Sequence, residues 1–565
     1  MTVLLKLFDL PSARAWYRDG TWTHETLYGA LIRHAGSRPA DPALRDGRRR
    51  LTWSQLREEV DTCAQALHQA GLSKGDRVAV WAPSRVEGVI VFLACARNGY
   101  VCCPSLHQNY TVEEIGGLLE RARCRALFVA PGYGADARRN DIVERVRAVE
   151  SIRAIFWVGT PDDRMLPFPH RAALPADGSV PAPADDPDAV VYLAFTSGTT
   201  GTPKGVMHSH NTLLANGRAL VRDWSHDSST VLLSLSPLSH HIATVAIEQQ
   251  LAAGFELVLN DPPDGLPALD WIVACGATYV MGVPTHAIDL LAEAARRSLS
   301  SIGAVRLFYM AGSTIPQETA RTFLSMGITP QNIYGMTENG SHQYTLPDDD
   351  VATIVETCGR AARGFECAIF DAEQTDRPLG PGEVGEIATR GPLLMLGYFD
   401  NQAATEDSFN RHGWFLSGDL GTLDERGCLR FVGRKKDLII RGGHNIHPAR
   451  IEQLAHRHPD VLKAAAFGIA DERLGEKVCL AVIARSGVPI DGEAMLAHLD
   501  AAGLSKYDMP EWFLPLEAFP LTASGKVLKR ELSEWVRAGR LSPLPVRWKG
   551  AGTSVAATSN TEEVR

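Results

Sequence analysis

The sequence lacks several features that would assign it to a membrane, redox or metal-binding class. It has no run of about 18 apolar residues, which is the length that a membrane-spanning helix needs. None of its ten cysteines forms a C-x-x-C pair. The adjacent Cys102 and Cys103 lie in an apolar stretch, and we interpret them as reduced core residues of a cytoplasmic protein, with a zinc site as the alternative.

Long runs of charge of one sign are also missing. The formal net charge is −9, and the basic run Arg48–Arg50 is short and follows Asp46 closely. Recognition of nucleic acid through a basic surface is therefore not expected. The apolar segment Met1–Asp9 is too short for a signal peptide, so we expect a cytoplasmic location without a membrane span.

Two common phosphate-binding patterns are absent, but a third kind of loop is present. No G-x-G-x-x-G follows a strand pattern. A Walker loop has a Gly-Lys pair that begins five residues after its first glycine, but Pro203 stands at that distance from Gly198. The segment Phe195–Gly205 instead combines glycines, five hydroxyl side chains and Lys204, and it follows the apolar run Ala189–Phe195. Glycines allow close approach of backbone N–H groups, and strand ends are where α/β sheets bind ligands. We therefore predict a phosphate-binding loop of an uncommon type.

Alternation of helix and strand patterns dominates the first part of the chain. At 565 residues, the chain is long enough for two or more domains. Strands such as Arg77–Trp81 and Ala126–Ala130 alternate with helical patterns that begin after Thr52 and Thr111. This alternation predicts an α/β fold of parallel sheets covered by helices.

The later part of the chain has a different pattern. Glycines recur between residues 358 and 432, which predicts a small antiparallel, barrel-like β subdomain. The polar turn Gly433–Asp437 lies between two apolar runs and suggests a hinge or a domain boundary. We predict a large N-terminal domain over 1–434, a smaller α+β C-terminal domain over 435–548 and a disordered tail over 549–565.

The segment Asn332–Asn339 groups three side chains that could serve a nucleotide. Tyr334 could stack on a base, Thr337 could bond a phosphate oxygen and Glu338 could hold Mg²⁺. An ordinary turn with exposed polar side chains is the alternative.

Three further residues follow polar turns. Asp419 could accept hydrogen bonds from a ribose diol, and Arg434 could reach the same diol or a phosphate. Lys526 follows a Ser-Gly turn and could stabilise an anionic transition state. Each of them, taken alone, is more typical of a turn or of a solvated surface.

Taken together, five segments form an ordered series. Phe195–Gly205, Tyr334–Glu338, Gly413–Asp419, Gly433–Arg434 and Ser524–Lys526 closely resemble, in order and separation, the motifs of the acyl-adenylate-forming superfamily. That superfamily includes acyl-CoA synthetases, peptide-synthetase adenylation domains and firefly-type luciferases. The resemblance spans about residues 25 to 535, and within the superfamily the chain is most similar to acyl-CoA ligases of the cyclohexanecarboxylate-CoA ligase type.

The resemblance implies an enzyme that uses ATP and Mg²⁺ to convert a carboxylic acid into acyl-AMP and pyrophosphate, and then transfers the acyl group to coenzyme A. Lys526, Glu338 and Thr337 would be catalytic: Lys526 bridges the acid and the α-phosphate, Glu338 binds Mg²⁺ and Thr337 contacts the α-phosphate. The residues that would bind the nucleotide and the thiol are Thr196, Ser197, Gly198, Thr199, Thr200 and Lys204 for the β- and γ-phosphates, Gly312, Ser313 and Tyr334 for adenine, Asp419 and Arg434 for ribose, and Gly443 beside the thiol tunnel.

The resemblance also implies a mobile smaller domain that turns about the hinge Lys436 between the two steps. The acid pocket would involve His240 and Gly335, although a core histidine satisfied by backbone is the alternative for His240. No acidic residue is evident there to hold an amino group. We therefore expect an apolar alicyclic, aromatic or medium-chain acid.

Three other functions stay open at this stage. The chain could load an acyl or aryl group onto a carrier protein, bind nucleotide as a regulator without catalysis, or act as a light-emitting oxidase. The intact Lys526 and Glu338 argue against a regulator, and nothing favours an oxidase. The expected partners are a small carboxylic acid, ATP and coenzyme A, and the sequence does not specify the oligomeric state.

Overall fold

Strands and helices alternate along most of the chain, so the predicted α/β class is confirmed. The structure is a computed structural model that describes residues 5–159, 161–170, 180–196, 203–263, 265–313, 315–485, 489–522 and 526–548. Contacts divide the chain into a large unit, Met1–Lys435 with Leu521–Lys526, and a small unit, Lys436–Pro520 with Val527–Arg565. The predicted tail, 549–565, lies outside the described residues.

The helices of the large unit cover the faces of its sheets. They are α1 (Leu10–Asp19), α2 (Leu27–Ser37), α3 (Trp53–Gln69), α4 (Val86–Asn98), α5 (Val112–Ala122), α6 (Ile142–Arg147), α7 (His210–Asp223), α8 (His241–Ala253), α9 (Ala268–Cys275), α10 (Pro284–Arg296), α11 (Gln317–Ser325), α12 (Val351–Glu356) and α13 (Gln402–Glu406).

The strands of the large unit belong to three sheets. They are β1 (Pro42–Arg45), β2 (Arg50–Thr52), β3 (Arg77–Trp81), β4 (Val101–Cys103), β5 (Cys124–Val129), β6 (Ala154–Trp157), β7 (Val190–Thr196), β8 (Lys204–Ser209), β9 (Val231–Ser234), β10 (Glu256–Leu259), β11 (Tyr279–Gly282), β12 (Leu307–Met310), β13 (Thr329–Met336), β14 (Gly340–Tyr344), β15 (Arg360–Ala361), β16 (Glu366–Phe370), β17 (Gly385–Arg390), β18 (Phe415–Leu423) and β19 (Leu429–Arg434).

Two of these sheets are mainly parallel and carry the strand ends that matter for a site. The first has the order β15-β14-β13-β12-β11-β9-β10-β1-β2, in which the strands from β13 to β1 run parallel. The second has the order β6-β5-β3-β4-β7-β8, in which β7 and β8 form an antiparallel pair. Their buried, nearly continuous apolar strands are typical of parallel sheets covered on both faces.

The predicted local elements are observed with small shifts. The strand Arg77–Trp81 has its predicted bounds, and the strand predicted over Ala126–Ala130 is Cys124–Val129. Thr52 and Thr111 each cap a helix through a reciprocal capping box. These signals are local, so a short stretch of sequence contains them completely.

The glycine-rich region forms the third sheet. Its strands are antiparallel in the order β16-β17-β18-β19. Asp419 on β18 is paired with Arg434 on β19. The pairing of β18 with β19 in this predicted antiparallel region therefore brings Asp419 and Arg434 next to each other.

The small unit has its own sheet and core. Its strands are β20 (Ile439–Arg441), β21 (His444–Ile446), β22 (Val461–Asp471), β23 (Gly475–Ala484), β24 (Trp512–Pro515) and β25 (Leu544–Pro545), and its helices are α14 (Pro448–Ala455), α15 (Gly492–Ala501) and α16 (Lys529–Arg537). The sheet order is β21-β20-β23-β24-β25, with β22 also paired to β23. Ile451, Leu454 and Leu480 are among the fully buried residues that pack between this sheet and its helices.

Buried helices and cysteines complete the picture of the large unit. Helix α8 has eleven consecutive buried residues, His241–Leu251, as expected of a helix enclosed on all sides. Cys102 and Cys103 are buried, as predicted. Within the described ranges, no helix combines the length and the apolarity that crossing a membrane requires.

We predict that Thr111→Ala weakens the first turn of α5. The Thr111 hydroxyl accepts from the backbone N–H of Glu114, and the Glu114 carboxylate accepts from the Thr111 backbone N–H. Losing this cap costs about 1 kcal/mol, which should raise the exchange of the α5 amide hydrogens about fivefold. Thr111→Ser keeps the hydroxyl and should exchange like the parent; equal exchange in the alanine variant would contradict the assignment.

Candidate active site

A β-hairpin holds the two ends of the hydroxyl-rich loop together. Thr196 at the end of β7 is paired with Lys204 at the start of β8, and its hydroxyl donates to the Lys204 carbonyl oxygen at 3.4 Å. Ser197, Gly198, Thr199 and Thr200 lie outside the described residues. The described flanks therefore end side by side on β7 and β8, and the phosphate contacts of the residues between them stay a prediction.

Lys204 and Glu338 approach the same tyrosine, Tyr398. The Lys204 ammonium lies 4.6 Å from the centre of the Tyr398 ring, and the Tyr398 hydroxyl donates to Glu338 Oε1 at 3.1 Å. Glu338 is only 6% exposed, and burial raises the pKa of its carboxyl group while the charge of Lys204 acts in the opposite direction. A cation next to this buried carboxylate would relieve the cost of its charge.

Thr337 is held from the same strand that carries Lys204. Its carbonyl oxygen lies 2.6 Å from Nε2 of His208, a buried residue of β8. Burial lowers the pKa of His208 to about 4, so the imidazole is neutral and can donate this hydrogen bond near neutral pH. The backbone of Thr337 is therefore anchored to β8.

Tyr334, Asp419 and Arg434 form a second linked group. The Tyr334 hydroxyl donates to Asp419 Oδ2 at 3.0 Å, and Arg434 Nε lies 3.4 Å from Asp419 Oδ1. The Tyr334 ring packs against Phe431, with 6.1 Å between ring centres. The arrangement presents a carboxylate and a guanidinium beside an aromatic ring, which suits a nucleoside.

Two glycines line the ends of the central strands. Gly312 follows β12 with a φ of +95°, which favours glycine, and the exposed Ser313 comes after it. A Cβ atom on Gly335 would lie 2.0 Å from the Gly340 carbonyl oxygen, so the β13–β14 hairpin admits no side chain there. Both positions therefore favour a residue without a side chain.

Lys526 and His240 lie beside Gly312. Lys526 Cε is 3.2 Å from the position that a Gly312 Cβ would occupy. His240 caps α8 by accepting from the Ile242 N–H at 3.3 Å. Burial lowers the pKa of His240 well below its ordinary value, and the charge of Lys526 lowers it further. His240 is thus both a helix cap and a neighbour of the proposed catalytic lysine.

Two other predicted residues belong to the small unit. Gly443 follows Gly442 in the turn between β20 and β21, and both have positive φ, at +83° and +58°. Lys436 lies in a short 3₁₀ turn, Lys435–Asp437, and is the first residue of the small unit.

Sequence reasoning missed two residues. Tyr398 connects Lys204 to Glu338, but its segment has no polar pattern of its own. Glu248 is a fully buried carboxyl group on α8, two helical turns after His241, where we expected no acid. A single charged residue within the mainly apolar stretch Ile242–Leu251 was the available signal for it.

Comparison with known proteins identifies the family of the chain. The family described as AMP-binding enzyme matches residues 31–399, and the AMP-binding enzyme C-terminal domain matches residues 450–526. The medium-chain fatty-acid–CoA ligase of Escherichia coli (strain K12) is 31% identical over 528 residues, which are 91% of each chain. The salicylyl-CoA synthase / salicylate adenylyltransferase of a Streptomyces species is 33% identical over 541 residues, covering 92% of this chain and 96% of that protein.

A solved structure is similar along nearly the whole chain. The ATP-bound MatB from Rhodopseudomonas palustris has a TM-score of 0.77 and 29% identity, covering 90% of this chain and 98% of MatB. The resemblance to the acyl-adenylate-forming superfamily is confirmed. The chain belongs to the AMP-binding enzyme family.

Proposed function

We propose that this protein is an ATP-dependent acid–thiol ligase that activates a carboxylic acid as acyl-AMP, releases pyrophosphate and transfers the acyl group to coenzyme A. The observation that carries the proposal is the position of Lys526 against Gly312 and beside His240. These residues belong to the same unit as the Lys204–Tyr398–Glu338 and Tyr334–Asp419–Arg434 groups. The names of the relatives from Escherichia coli and Streptomyces support the same reaction class.

The nucleotide would extend between the two linked groups. Tyr334 and the Gly312–Ser313 backbone would enclose adenine, and Asp419 and Arg434 would hold the ribose. Lys204 and the hydroxyls that flank it, including Thr196 and the segment Ser197–Thr200, would hold the β- and γ-phosphates. In this assignment a carboxylate accepts hydrogen bonds from the ribose hydroxyls, and a lysine neutralises charge on the phosphates.

Mg²⁺ fits the carboxylate of Glu338. Oxygen ligands of carboxylates are those that Mg²⁺ prefers, and Glu338 is buried with its charge opposed by desolvation. When bound, the ion would neutralise phosphate charge. Tyr398 would orient the carboxylate by donating to Oε1.

The chain's own groups would then align the reacting atoms. An oxygen of the substrate carboxylate attacks the α-phosphorus; the new bond joins that oxygen to phosphorus, and the bond to the bridging oxygen breaks as pyrophosphate leaves. Lys526 would bridge the acid and the α-phosphate, and Thr337 would contact the same phosphate, so that developing negative charge is stabilised. In the second step the thiolate of coenzyme A attacks the acyl carbon and AMP leaves.

The acid would enter beside His240, Gly312 and Gly335. Ile242, Val283 and Ala311 are buried apolar residues near this point, so a mainly apolar acid is favoured. The aromatic, alicyclic and medium-chain classes all meet this condition. Lys436 remains the proposed hinge, and Gly443 the proposed border of the thiol path.

A carrier protein is the second candidate acceptor. The Streptomyces relative is named both as a CoA synthase and as an adenylyltransferase, so release or transfer of an acyl-adenylate is a real alternative for the second step. We favour coenzyme A because the Escherichia coli relative is named as a CoA ligase.

We predict that Lys526→Ala lowers acid-dependent exchange of labelled pyrophosphate into ATP by about a hundredfold or more, because a charge that stabilises the transition state is removed. Thioester formation from supplied acyl-AMP and coenzyme A should change much less. Lys506→Ala, at an exposed lysine over Tyr507, is the matched control. Unchanged exchange in the Lys526 variant would refute its catalytic role.

Glu338→Gln should raise the Mg²⁺ concentration needed for half-maximal adenylation at least tenfold, on the order of the loss seen when a metal site is weakened. Glutamine keeps the shape and can accept from Tyr398 but carries no charge. Glu318→Gln, at an exposed carboxylate, serves as the control. An Mg²⁺ titration that is the same in all three proteins would exclude Glu338 as the ligand.

A panel of carboxylic acids with ATP and Mg²⁺ should show AMP release that depends on the acid and on coenzyme A, with a thioester of matching mass. The same reaction with a phosphopantetheinylated carrier protein tests the alternative. Faster acyl transfer to the carrier would reverse our choice of acceptor, and acid-independent AMP release would contradict the proposed function.

A further inference from the structure

Glu248 is a buried carboxyl group for which the proposed reaction has no use. It lies on α8 with 0% of its surface exposed, and neither carboxyl oxygen has a hydrogen-bond partner among the residues that the structure describes. An unpaired buried polar group costs about 1–3 kcal/mol. A ligand that formed a hydrogen bond with Glu248 would remove this cost.

Helix α8 leads from the proposed acid site to this carboxyl group. Near its start, Ile242 Cδ1 lies 3.8 Å from the position of a Gly312 Cβ, the point that Lys526 also approaches. Glu248 follows His241 by seven residues, which is about 10 Å along the helix axis. An acid that extended from Lys526 along α8 for about this length would reach the level of Glu248.

Strands β12 and β14 contribute two buried hydroxyl groups. Tyr309 on β12 precedes Ala311 by two residues, and both pack in the hydrophobic core that holds α8. Ser341 on β14 is paired directly with Gly335. The Tyr309 hydroxyl and Ser341 Oγ are 2.7 Å apart. The hydroxyl pair therefore lies on β12, which precedes Gly312, and on β14, which pairs with Gly335.

The carboxyl group of Glu248 lies within electrostatic reach of this pair. Burial is the main cause of the raised pKa of Tyr309, and the charge of an ionised Glu248 would raise it further. The same charge acts on Tyr192, whose hydroxyl lies 3.3 Å from Thr244 Oγ1. Glu248 is thus the acidic member of a buried polar group that also contains Tyr309, Ser341 and Tyr192.

We propose that Glu248 is a specificity residue that, with the Tyr309–Ser341 hydroxyl pair, binds a neutral hydrogen-bonding group at the far end of the acid. The substrate class is a mainly apolar carboxylic acid that carries a hydroxyl or carbonyl oxygen about 10 Å from its carboxylate. This inference rests on the proposed function and refines the acid that the site takes.

The group that binds Glu248 is neutral for a physical reason. Burial raises the pKa of Glu248 well above its ordinary value, because an environment without water disfavours the charged carboxylate. A protonated carboxyl group donates through its O–H and accepts through its carbonyl oxygen. It can therefore serve a ketone or a hydroxyl, whereas an ammonium group would require the ionised form.

The test compares the wild-type chain with Glu248→Leu and Glu248→Gln on matched acids. Octanoic, 8-hydroxyoctanoic, 7-oxooctanoic and 8-aminooctanoic acids, with the corresponding hexanoic and decanoic sets, are assayed for kcat/KM of AMP release. We expect the wild type to prefer a hydroxy or oxo acid over the plain acid by about tenfold or more. Glu248→Leu should lose this preference, and Glu248→Gln should keep it because the amide also donates and accepts. Thermal unfolding of each variant checks that the fold is intact.

Equal preference ratios in the wild type and in Glu248→Leu, with octanoic acid still activated, would overturn this assignment and leave the proposed function standing. A preference for the amino-substituted acids would contradict the proposal that Glu248 binds a neutral group. Failure of every acid to release AMP in the wild type would instead refute the proposed function.

Discussion

The contact between β8 and the segment Met395–Phe399 determines where the charged groups of the site lie. Backbone hydrogen bonds join Leu396 to Met207 and Phe399 to Gly205, and the Met395 N–H donates to the Glu338 carbonyl oxygen. The segment thereby carries Tyr398 to a place where its ring meets Lys204 and its hydroxyl meets Glu338. Lys204 and Glu338 therefore share Tyr398 as a neighbour.

Burial sets the chemistry of the carboxyl groups in the large unit. Asp419 has a hydroxyl donor in Tyr334 and a guanidinium in Arg434, so its charge is supported in place. Glu338 has one phenolic donor and a nearby ammonium group. Glu248 has no hydrogen-bond partner among the described residues. The three carboxyl groups suit, in the same order, a ribose, a cation and a neutral polar group.

Much of the fold and part of the site followed from local sequence signals. Capping boxes at Thr52 and Thr111 and the strand Arg77–Trp81 depend on residues that are neighbours in the chain. Glu248 could not be assigned in the same way, because its meaning depends on the burial of α8 and on Tyr309 and Ser341, which come from distant strands. Tyr398 was missed for the same reason.

The sequence by itself determined the α/β alternation, the family and the identity of the polar residues, because hydrophobic periodicity and ordered motifs are written along the chain. Only the tertiary structure decided which of these residues meet: the pairing of β18 with β19 brings Asp419 to Arg434, and the β7–β8 hairpin brings Thr196 to Lys204. Burial, too, is a property of the packed chain, since Glu248 becomes an unpaired carboxyl group only when α8 is enclosed on every side.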